Sequence, residues 1–326
     1  MIKPLTLAVA FSVFMVGCSD STQNNTPQQS SPDQGQVSQD QAQAPQRITV
    51  PHAQGEAVIE GTPKTVMVTD WAAFDNLTAL GVTVTGIPGG HMPAHLAKKV
   101  TPDMQPIGSL QEPDIEAIAA AKPDLVIVAS RSRKSYPAIS KIAPTIDASI
   151  DNNNLIDSLK ANLTSYGKIF DREARAAELI AELDAKVEKA RAAAEGKGNA
   201  LVLVTNGSRM GIYGRESRVS WIYNTLNVPS VFDNKVDDRD HGGDAVTFEY
   251  LLKTNPDWLF VVDRDAGVGN EGSARALLDN ELIHQTDFWK NKRIVYLDPP
   301  ASYVTMHGYD AVSLLLDQVI AGYSAQ

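Results

Sequence analysis

Two arginines occupy equivalent positions in the two halves of the sequence, each shortly after an apolar run. The run Leu125–Val128 precedes Arg131, and the run Leu259–Val262 precedes Arg264. The two arginines, and the Pro-Asp pairs before the two runs, are related by a constant offset of 133 residues. In open α/β sheets, ligands bind outside the carboxyl ends of the strands. We therefore expect Arg131 and Arg264 to face a common cleft, where their planar guanidinium groups could bind an anionic ligand.

The repeat extends upstream of these arginines. Each copy has a helical segment, Ile115–Ile118 or Phe248–Leu251, followed by a Pro-Asp pair and then the apolar run. Glu116 and Glu249 lie near the starts of these segments, where a carboxylate interacts favourably with the positive end of a helix dipole. The two copies indicate two similar lobes.

Apolar runs alternate with amphipathic helical stretches from Arg47 onward, which predicts an α/β fold with mainly parallel sheets flanked by helices. Between the copies lies a stretch rich in Ala, Glu, Lys and Leu without Pro or Gly, which predicts one long linking α-helix. The predicted parts are a lipoprotein signal peptide (1–18), a disordered polar tether (19–46), an N-terminal α/β lobe (47–170), the linking helix (171–197) and a C-terminal α/β lobe (198–326).

Composition excludes several classes of protein. The chain has 326 residues and a net charge of −10, whereas a protein that binds nucleic acid without sequence preference needs a broad basic surface. Its single cysteine, Cys18, excludes disulfide frameworks, cysteine-based zinc sites and iron–sulfur clusters.

Cys18 ends an N-terminal segment typical of a processing signal. The segment has one cation, Lys3, and an apolar run too short to span a bilayer. Ending at Gly17-Cys18, it resembles the lipobox of bacterial lipoproteins, which implies a lipid anchor on Cys18. By the same resemblance, Asp20 is a signal for retention in the inner membrane. We expect a periplasmic location on that membrane, or the outer face of the cell membrane where the host lacks an outer membrane.

Two motifs do not indicate the nucleotide or metal site that their spacing suggests. The segment Gly267–Gly272 fits G-x-G-x-x-G, but Arg264 and three further residues separate the strand from its first glycine, so the tight turn of a dinucleotide site is absent. His91 and His95 have a helical spacing that suits a metal, but Pro93 between them argues against a regular helix. We predict a binding protein rather than an enzyme, with no cofactor, and keep a surface-anchored α/β hydrolase as the alternative.

The lipobox, the polar tether and two lobes joined by a helix together resemble the helix-linked class III of periplasmic substrate-binding lipoproteins, which serve ABC importers. Within that class the motifs resemble the catecholate siderophore-binding family, from about Arg47 to the C-terminus. The motifs are Gly108–Asp114 before a helix, Glu216-Ser217-Arg218, Val261-Val262-Asp263-Arg264, and Leu297-Asp298-Pro299 leading to Tyr303.

The resemblance implies a role for five residues. Arg131, Arg218 and Arg264 match the family's anion-binding arginines. His241 and Tyr303 match a histidine and a tyrosine that complete iron coordination when a tetradentate siderophore leaves two positions open. Hard Fe(III) prefers oxygen anions, and its catecholate complexes carry a charge of roughly −1 to −3, which suits arginine. The predicted ligand is therefore a ferric catecholate-type siderophore, with heme or cobalamin as the alternative.

The resemblance also implies partners. Glu116 and Glu249 match acidic residues, one on each lobe, that dock onto basic pockets of the two permease subunits. The expected partners are therefore an ABC permease dimer with its ATPase subunits, and the membrane through the lipid anchor, but no nucleic acid. We expect the protein itself to be a monomer.

Overall fold

The computed structural model describes residues 47–232 and 243–325. Within these ranges the strands form two five-stranded sheets and one two-stranded hairpin. The strands are β1 (Arg47–His52), β2 (Gly55–Glu60), β3 (Val66–Val68), β4 (Gly86–Ile87), β5 (Gln105–Pro106), β6 (Leu125–Val128), β7 (Thr145–Asp147), β8 (Ala200–Asn206), β9 (Arg209–Tyr213), β10 (Asp244–Val246), β11 (Trp258–Asp263) and β12 (Ile294–Tyr296).

Helices precede or follow most of these strands. No helix in the described ranges is both long enough and apolar enough to cross a membrane. The α-helices are α1 (Trp71–Ala79), α2 (Ile115–Ala121), α3 (Tyr136–Ile139), α4 (Leu155–Ile169), α5 (Glu173–Ala194), α6 (Ser220–Asn224), α7 (Phe248–Thr254), α8 (Arg264–Gly267), α9 (Ala274–Leu278), α10 (Glu281–His284), α11 (Asp287–Lys290), α12 (Pro299–Tyr303) and α13 (Tyr309–Ser324), with 3₁₀ helices at Ala94–Lys99, Ser130–Ser135 and Asn152–Asn154.

Each large sheet is the centre of one lobe. The sheet of the first lobe has the order β5-β4-β3-β6-β7 and is parallel throughout. The sheet of the second lobe has the order β10-β9-β8-β11-β12, in which β9 is antiparallel to both of its neighbours. The predicted two-lobe α/β class is confirmed. The antiparallel pair was not predicted; only Gly207 and Ser208 separate β8 from β9, a connection too short for a parallel crossover.

The two copies of the sequence repeat have the same local structure. Helix α2 follows the N-cap Asp114 and α7 follows the N-cap Thr247, each cap accepting a hydrogen bond from a backbone N–H of its helix. Both helices end at a left-handed residue, Lys122 with φ 49° and Asn255 with φ 41°. The same offset of 133 residues relates the two caps and the two ends, so each copy enters its sheet through the same turn.

The aspartate of each Pro-Asp pair fixes the neighbouring strand. Asp124 accepts hydrogen bonds of 2.8 Å from the backbone N–H groups of Lys64 and Thr65, just before β3. Asp257 accepts one of 2.8 Å from the N–H of Asn199, just before β8. These contacts align the two central strands of each sheet, and therefore the strand ends that carry Arg131 and Arg264.

Helix α5 joins the lobes in sequence and packs along α4 and α13. It has 22 residues, a length of about 33 Å. Its buried residues recur every three or four positions, as expected for a helix with one apolar face; they are Ala176, Leu179, Leu183, Val187, Ala190 and Ala194. Side chains from both large sheets belong to one hydrophobic cluster with this face, so the lobes share a core.

Polar contacts also join α1 of the first lobe to the start of α13. Asn76 donates a hydrogen bond from Nδ2 to the carbonyl oxygen of His307 (3.3 Å) and accepts one from the N–H of Tyr309 (2.8 Å). Asp75 accepts one from the N–H of Ala311 (3.1 Å). Because both α1 side chains are buried, these contacts are protected from water and hold the lobes together.

We predict that stability depends on the protonation of Asp75. Burial, and then the nearby Asp310 carboxylate, raise its pKa from 3.8 to about 6, although Lys99 opposes them. Between about pH 4 and about pH 6 the folded protein therefore holds a proton that the unfolded chain releases. This contribution to stability is complete below that range and is lost as the pH rises through it.

The Asp75→Asn variant isolates the effect, because an amide oxygen still accepts from the N–H of Ala311 but does not titrate. The unfolding free energy of the wild type, minus that of the variant, should fall by roughly 2–3 kcal/mol from pH 4 to pH 7. Urea unfolding across this pH range measures the difference. A difference that does not change with pH would contradict the prediction.

Candidate functional site

A cavity of about 920 Å³ lies between the lobes, beyond the carboxyl ends of β6 and β11. Its one carboxylate lining residue among the described residues is Glu112. Five cationic side chains line it, namely Arg131, Arg133, Lys134, Arg218 and Arg264. The predicted common cleft for Arg131 and Arg264 is therefore present, and its lining is strongly cationic although the chain as a whole is acidic.

Tyr303 is the centre of the cationic lining. Helix α12 presents it, beginning with Pro299 and Pro300 after the N-cap Asp298, which accepts a hydrogen bond from Ala301 N–H. The Tyr303 residue is only 4% exposed. The guanidinium carbons lie over its ring at 5.6 Å for Arg131, 5.2 Å for Arg218 and 5.7 Å for Arg264. The three predicted arginines and the predicted tyrosine therefore form one cluster, with cation–π contacts between them.

Arg264 begins α8 and is fixed by several groups. Its Nε donates to the Tyr303 Oη (3.1 Å), and its Nη1 donates to the Asn206 Oδ1 (3.2 Å). The preceding Asp263 caps α8 and also accepts a hydrogen bond from Ala274 N–H. Arg264 is thus held by the amide oxygen of Asn206 at the end of β8 and by the phenol oxygen in the cavity.

Arg131 reaches across the cavity to the second lobe. Its Nη2 donates to the carbonyl oxygen of Tyr303 (2.8 Å) and its Nη1 to that of Val304 (3.4 Å). Burial holds the pKa of Arg131 below its ordinary value, and Arg218 and Arg264 lower it further while Asp70 opposes them. The like charges in the cavity are therefore close enough to interact, which favours an anion between them.

Arg218 lies deepest of the three and is 7% exposed. Its guanidinium group lies 5.9 Å from the ring centre of Tyr213 as well as near Tyr303. Val219 and Ser220, which follow it, are buried at the start of α6. Two aromatic rings therefore hold this cation in the cavity wall.

The G-x-G-x-x-G segment is explained by packing rather than by nucleotide binding. A Cβ on Gly267 would lie 2.9 Å from both the Cβ of Tyr303 and the carbonyl oxygen of Pro299. Gly269 has a φ of +82° and lies directly against the ring of His91. The first glycine permits the close approach of α8 to α12, which places Tyr303 beside Arg264.

Two parts of the cavity were not predicted from the sequence. His307 lines the cavity and is 4% exposed, and its Nε2 lies 3.2 Å from the Oδ1 of the buried Asp70. The carboxyl group of Asp70 loses solvation on burial, yet His307 and Arg131 together hold its pKa below the usual range. No sequence pattern marked this pair, because its members are more than 230 positions apart. For Arg133 and Lys134 the sequence did contain a signal, because they belong to the cationic run that follows β6.

The other predicted residues lie outside the cavity or outside the described ranges. His241 and Cys18 belong to the part of the chain that the structure does not describe. Glu116 and Glu249 are exposed, in the first turns of α2 and α7. Among the described residues, no group of three or more His, Cys, Asp and Glu side chains is arranged to hold a metal ion.

Known proteins share this architecture. The petrobactin-binding protein YclQ of Bacillus subtilis is 32% identical over 282 residues, which cover 85% of this chain and 88% of YclQ. Its crystal structure superposes with a TM-score of 0.81 over 86% of this chain and all of the other. The ferric-anguibactin-binding protein FatB of Vibrio anguillarum is also 32% identical, over 85% of this chain and 88% of FatB.

The structure of the periplasmic catecholate-siderophore-binding protein VctP of Vibrio cholerae is 30% identical, with a TM-score of 0.79 over 86% of this chain and all of VctP. The model of the periplasmic binding protein family Peripla_BP_2 matches residues 66–301. The chain therefore belongs to this family, whose members are substrate-binding proteins rather than enzymes, as the sequence predicts.

Proposed function

We propose that this protein captures a ferric siderophore of the catecholate type and delivers it to an ABC permease for iron uptake. The observation that supports the proposal is the cluster of Arg131, Arg218 and Arg264 around Tyr303 in the cavity between the lobes. Guanidinium groups donate hydrogen bonds to oxygen anions and stack on flat rings, and a ferric catecholate has both features. YclQ, FatB and VctP bear names that denote siderophore binding.

A titration of intrinsic tryptophan fluorescence tests this proposal directly. The mature protein should bind ferric catecholate complexes in preference to ferric hydroxamates, ferric citrate and heme. Tight binding of heme with none of the ferric catecholates would favour the alternative ligand that the sequence leaves open.

We predict that replacing any of the three arginines by alanine weakens ferric-catecholate binding by about 1.5–3 kcal/mol, since each removes a charge-assisted hydrogen bond from a partly desolvated site. Arg275→Ala is the matched control. Arg275 also stacks on a tyrosine, 3.9 Å from the Tyr296 ring centre, but it does not line the cavity. Unchanged affinity in all three variants, with thermal melts that confirm folding, would refute the proposed site.

We further propose that Tyr303 and His241 donate to iron when the siderophore supplies four oxygens. Tyr303→Phe should then weaken a tetradentate ferric complex about tenfold more than a hexadentate one, because only the former leaves iron positions for the protein. The visible charge-transfer band should shift as well, and His241→Ala should act in the same way. Tyr296→Phe serves as the control. An identical spectrum for the wild type and the double variant would show that neither residue touches iron.

We propose that Glu116 and Glu249 dock the protein onto the two permease subunits. Both are exposed, and the repeat gives them equivalent places in the two lobes. Reversing both to lysine should leave siderophore affinity intact but abolish uptake, because like charges would meet at the docking surface.

The control for this prediction is reversal of Glu173 and Glu281, which are exposed acids in the first turns of α5 and α10. This control reversal also places a positive charge at the starts of two helices, where it opposes the helix dipole, but at other places on the surface. Iron uptake at the wild-type rate by cells with the Glu116 and Glu249 reversal would rule out the docking role.

We also propose that residues 1–18 are a lipoprotein signal and 19–46 a tether, so that a lipid on Cys18 holds the protein at the membrane. The Gly17-Cys18 end of the apolar segment supports this assignment. Stable anchoring requires more than one acyl chain, so a Cys18→Ala variant should leave the membrane fraction. A variant that stays in the membrane fraction after a carbonate wash would exclude the lipid anchor.

A further inference from the structure

The cavity has a second cationic surface on the first lobe, separate from the cluster around Tyr303. Arg133 and Lys134 lie in the 3₁₀ helix Ser130–Ser135 and line the cavity. Residues that are two positions apart in a 3₁₀ helix are separated by about two-thirds of a turn, so Arg131 and Arg133 point in different directions. Arg131 bonds to the second lobe, whereas Arg133 bonds within the first.

One buried carboxylate organises this surface. The side chain of Asp147, at the end of β7, is fully buried, and its Oδ2 lies 3.0 Å from the Arg133 Nε. Its Oδ1 accepts hydrogen bonds from the N–H (3.0 Å) and the Oγ (2.5 Å) of Ser149. The Ser149 Oγ in turn accepts from the N–H of Ser130 (2.9 Å). Asp147 thus fixes three residues of the cavity wall: Ser130, Arg133 and Ser149.

The contact to Asp147 leaves part of Arg133 for a ligand. The Arg133 Nε faces the Asp147 Oδ2 in an ion pair without a hydrogen bond to it, and within residues 47–232 and 243–325 this is the only ion pair of Arg133. The side chain remains 50% exposed. A guanidinium group presents a planar pair of donors that matches a carboxylate, and the ion pair with Asp147 restricts its orientation before the ligand arrives. The exposed Lys134 adds a positive charge beside it.

The ligand feature that fits this surface is a localised anion. Catecholate oxygens bound to iron share their charge over flat rings, which the arginines around the Tyr303 ring suit. A free carboxylate instead suits a fixed guanidinium fork beside an ammonium group. We propose that Arg133 and Lys134 form a subsite for a carboxylate that the siderophore carries outside its iron-binding oxygens. This proposal rests on the proposed function and narrows the substrate to carboxylated ferric catecholates.

A matched pair of ligands tests the subsite. The first is a ferric bis-catecholate whose linker carries a free carboxylate, and the second is the same complex with a primary amide in its place. The wild type should bind the carboxylate about tenfold more tightly or better, the effect of a hydrogen bond to a charged group. In Arg133→Gln the remaining preference for the carboxylate should be about twofold or less. In Lys134→Gln the preference should be lower than in the wild type by a factor of about three. Both variants should weaken the binding of the amide less than the binding of the carboxylate.

Two further variants keep the test decisive. Arg133→Gln leaves Asp147 buried without its cation and could unfold the protein. Arg133→Lys retains the charge but loses the planar fork, so it should keep only part of the preference. Lys141→Gln removes an exposed cation outside the cavity lining and should keep all of it. Equal wild-type affinities for the two ligands, or a preference that is undiminished in both Lys134→Gln and Arg133→Lys, would overturn the subsite alone. Failure of the wild type to bind either ligand would overturn the proposed function as well.

Discussion

The mutual repulsion of three guanidinium groups around one phenol ring is the constraint that the cavity must satisfy. Such a cluster is held only if other groups fix each cation, and here they differ for each arginine. Arg131 uses two backbone carbonyls, and Arg218 lies near two aromatic rings. Arg264 uses the phenol of Tyr303, the amide of Asn206 and the carboxylate of Asp265, which lies 3.6 Å from its Nη1. Burial holds the pKa of Arg131 below its ordinary value, and repulsion from Arg218 and Arg264 lowers it further. An anionic ligand removes this repulsion, so the protein stores part of its affinity as unrelieved charge.

The position of Tyr303 depends on the contact between the lobes. Arg131 of the first lobe binds the end of α12, His95 contacts Thr305 (3.3 Å), and Asn76 binds the backbone at 307 and 309. Tyr303 is therefore attached to the second lobe by its helix and to the first by the chain that follows it. With the shared core along α5, this attachment makes the two walls of the cavity one unit rather than two bodies joined by flexible strands.

The sequence predicted the frame of the site better than its details. The repeat predicted the helix–turn–strand units that place Arg131 and Arg264, and these follow from local signals such as caps, the Pro-Asp turn and apolar runs. Helix α12 was not predicted, because its five residues include two prolines and it depends on the Asp298 cap. The Asp70–His307 pair depends on how the lobes meet, and no local pattern encodes a contact of that kind. Arg133 was visible as a charge, but only the buried Asp147 distinguishes it from an ordinary surface arginine.

The two copies of the repeat differ where the strand ends, and this difference makes the cavity asymmetric. At the offset of 133 residues, Ala266 and Gly267 of the second lobe correspond to Arg133 and Lys134 of the first. The small pair lets α12 pack directly on α8 and bring Tyr303 into the cavity. In the first lobe, the large cationic pair itself lines the cavity. The same backbone unit thus supplies an aromatic support on one side and exposed positive charge on the other, which suits a ligand with a flat, charge-delocalised end and a localised anionic end.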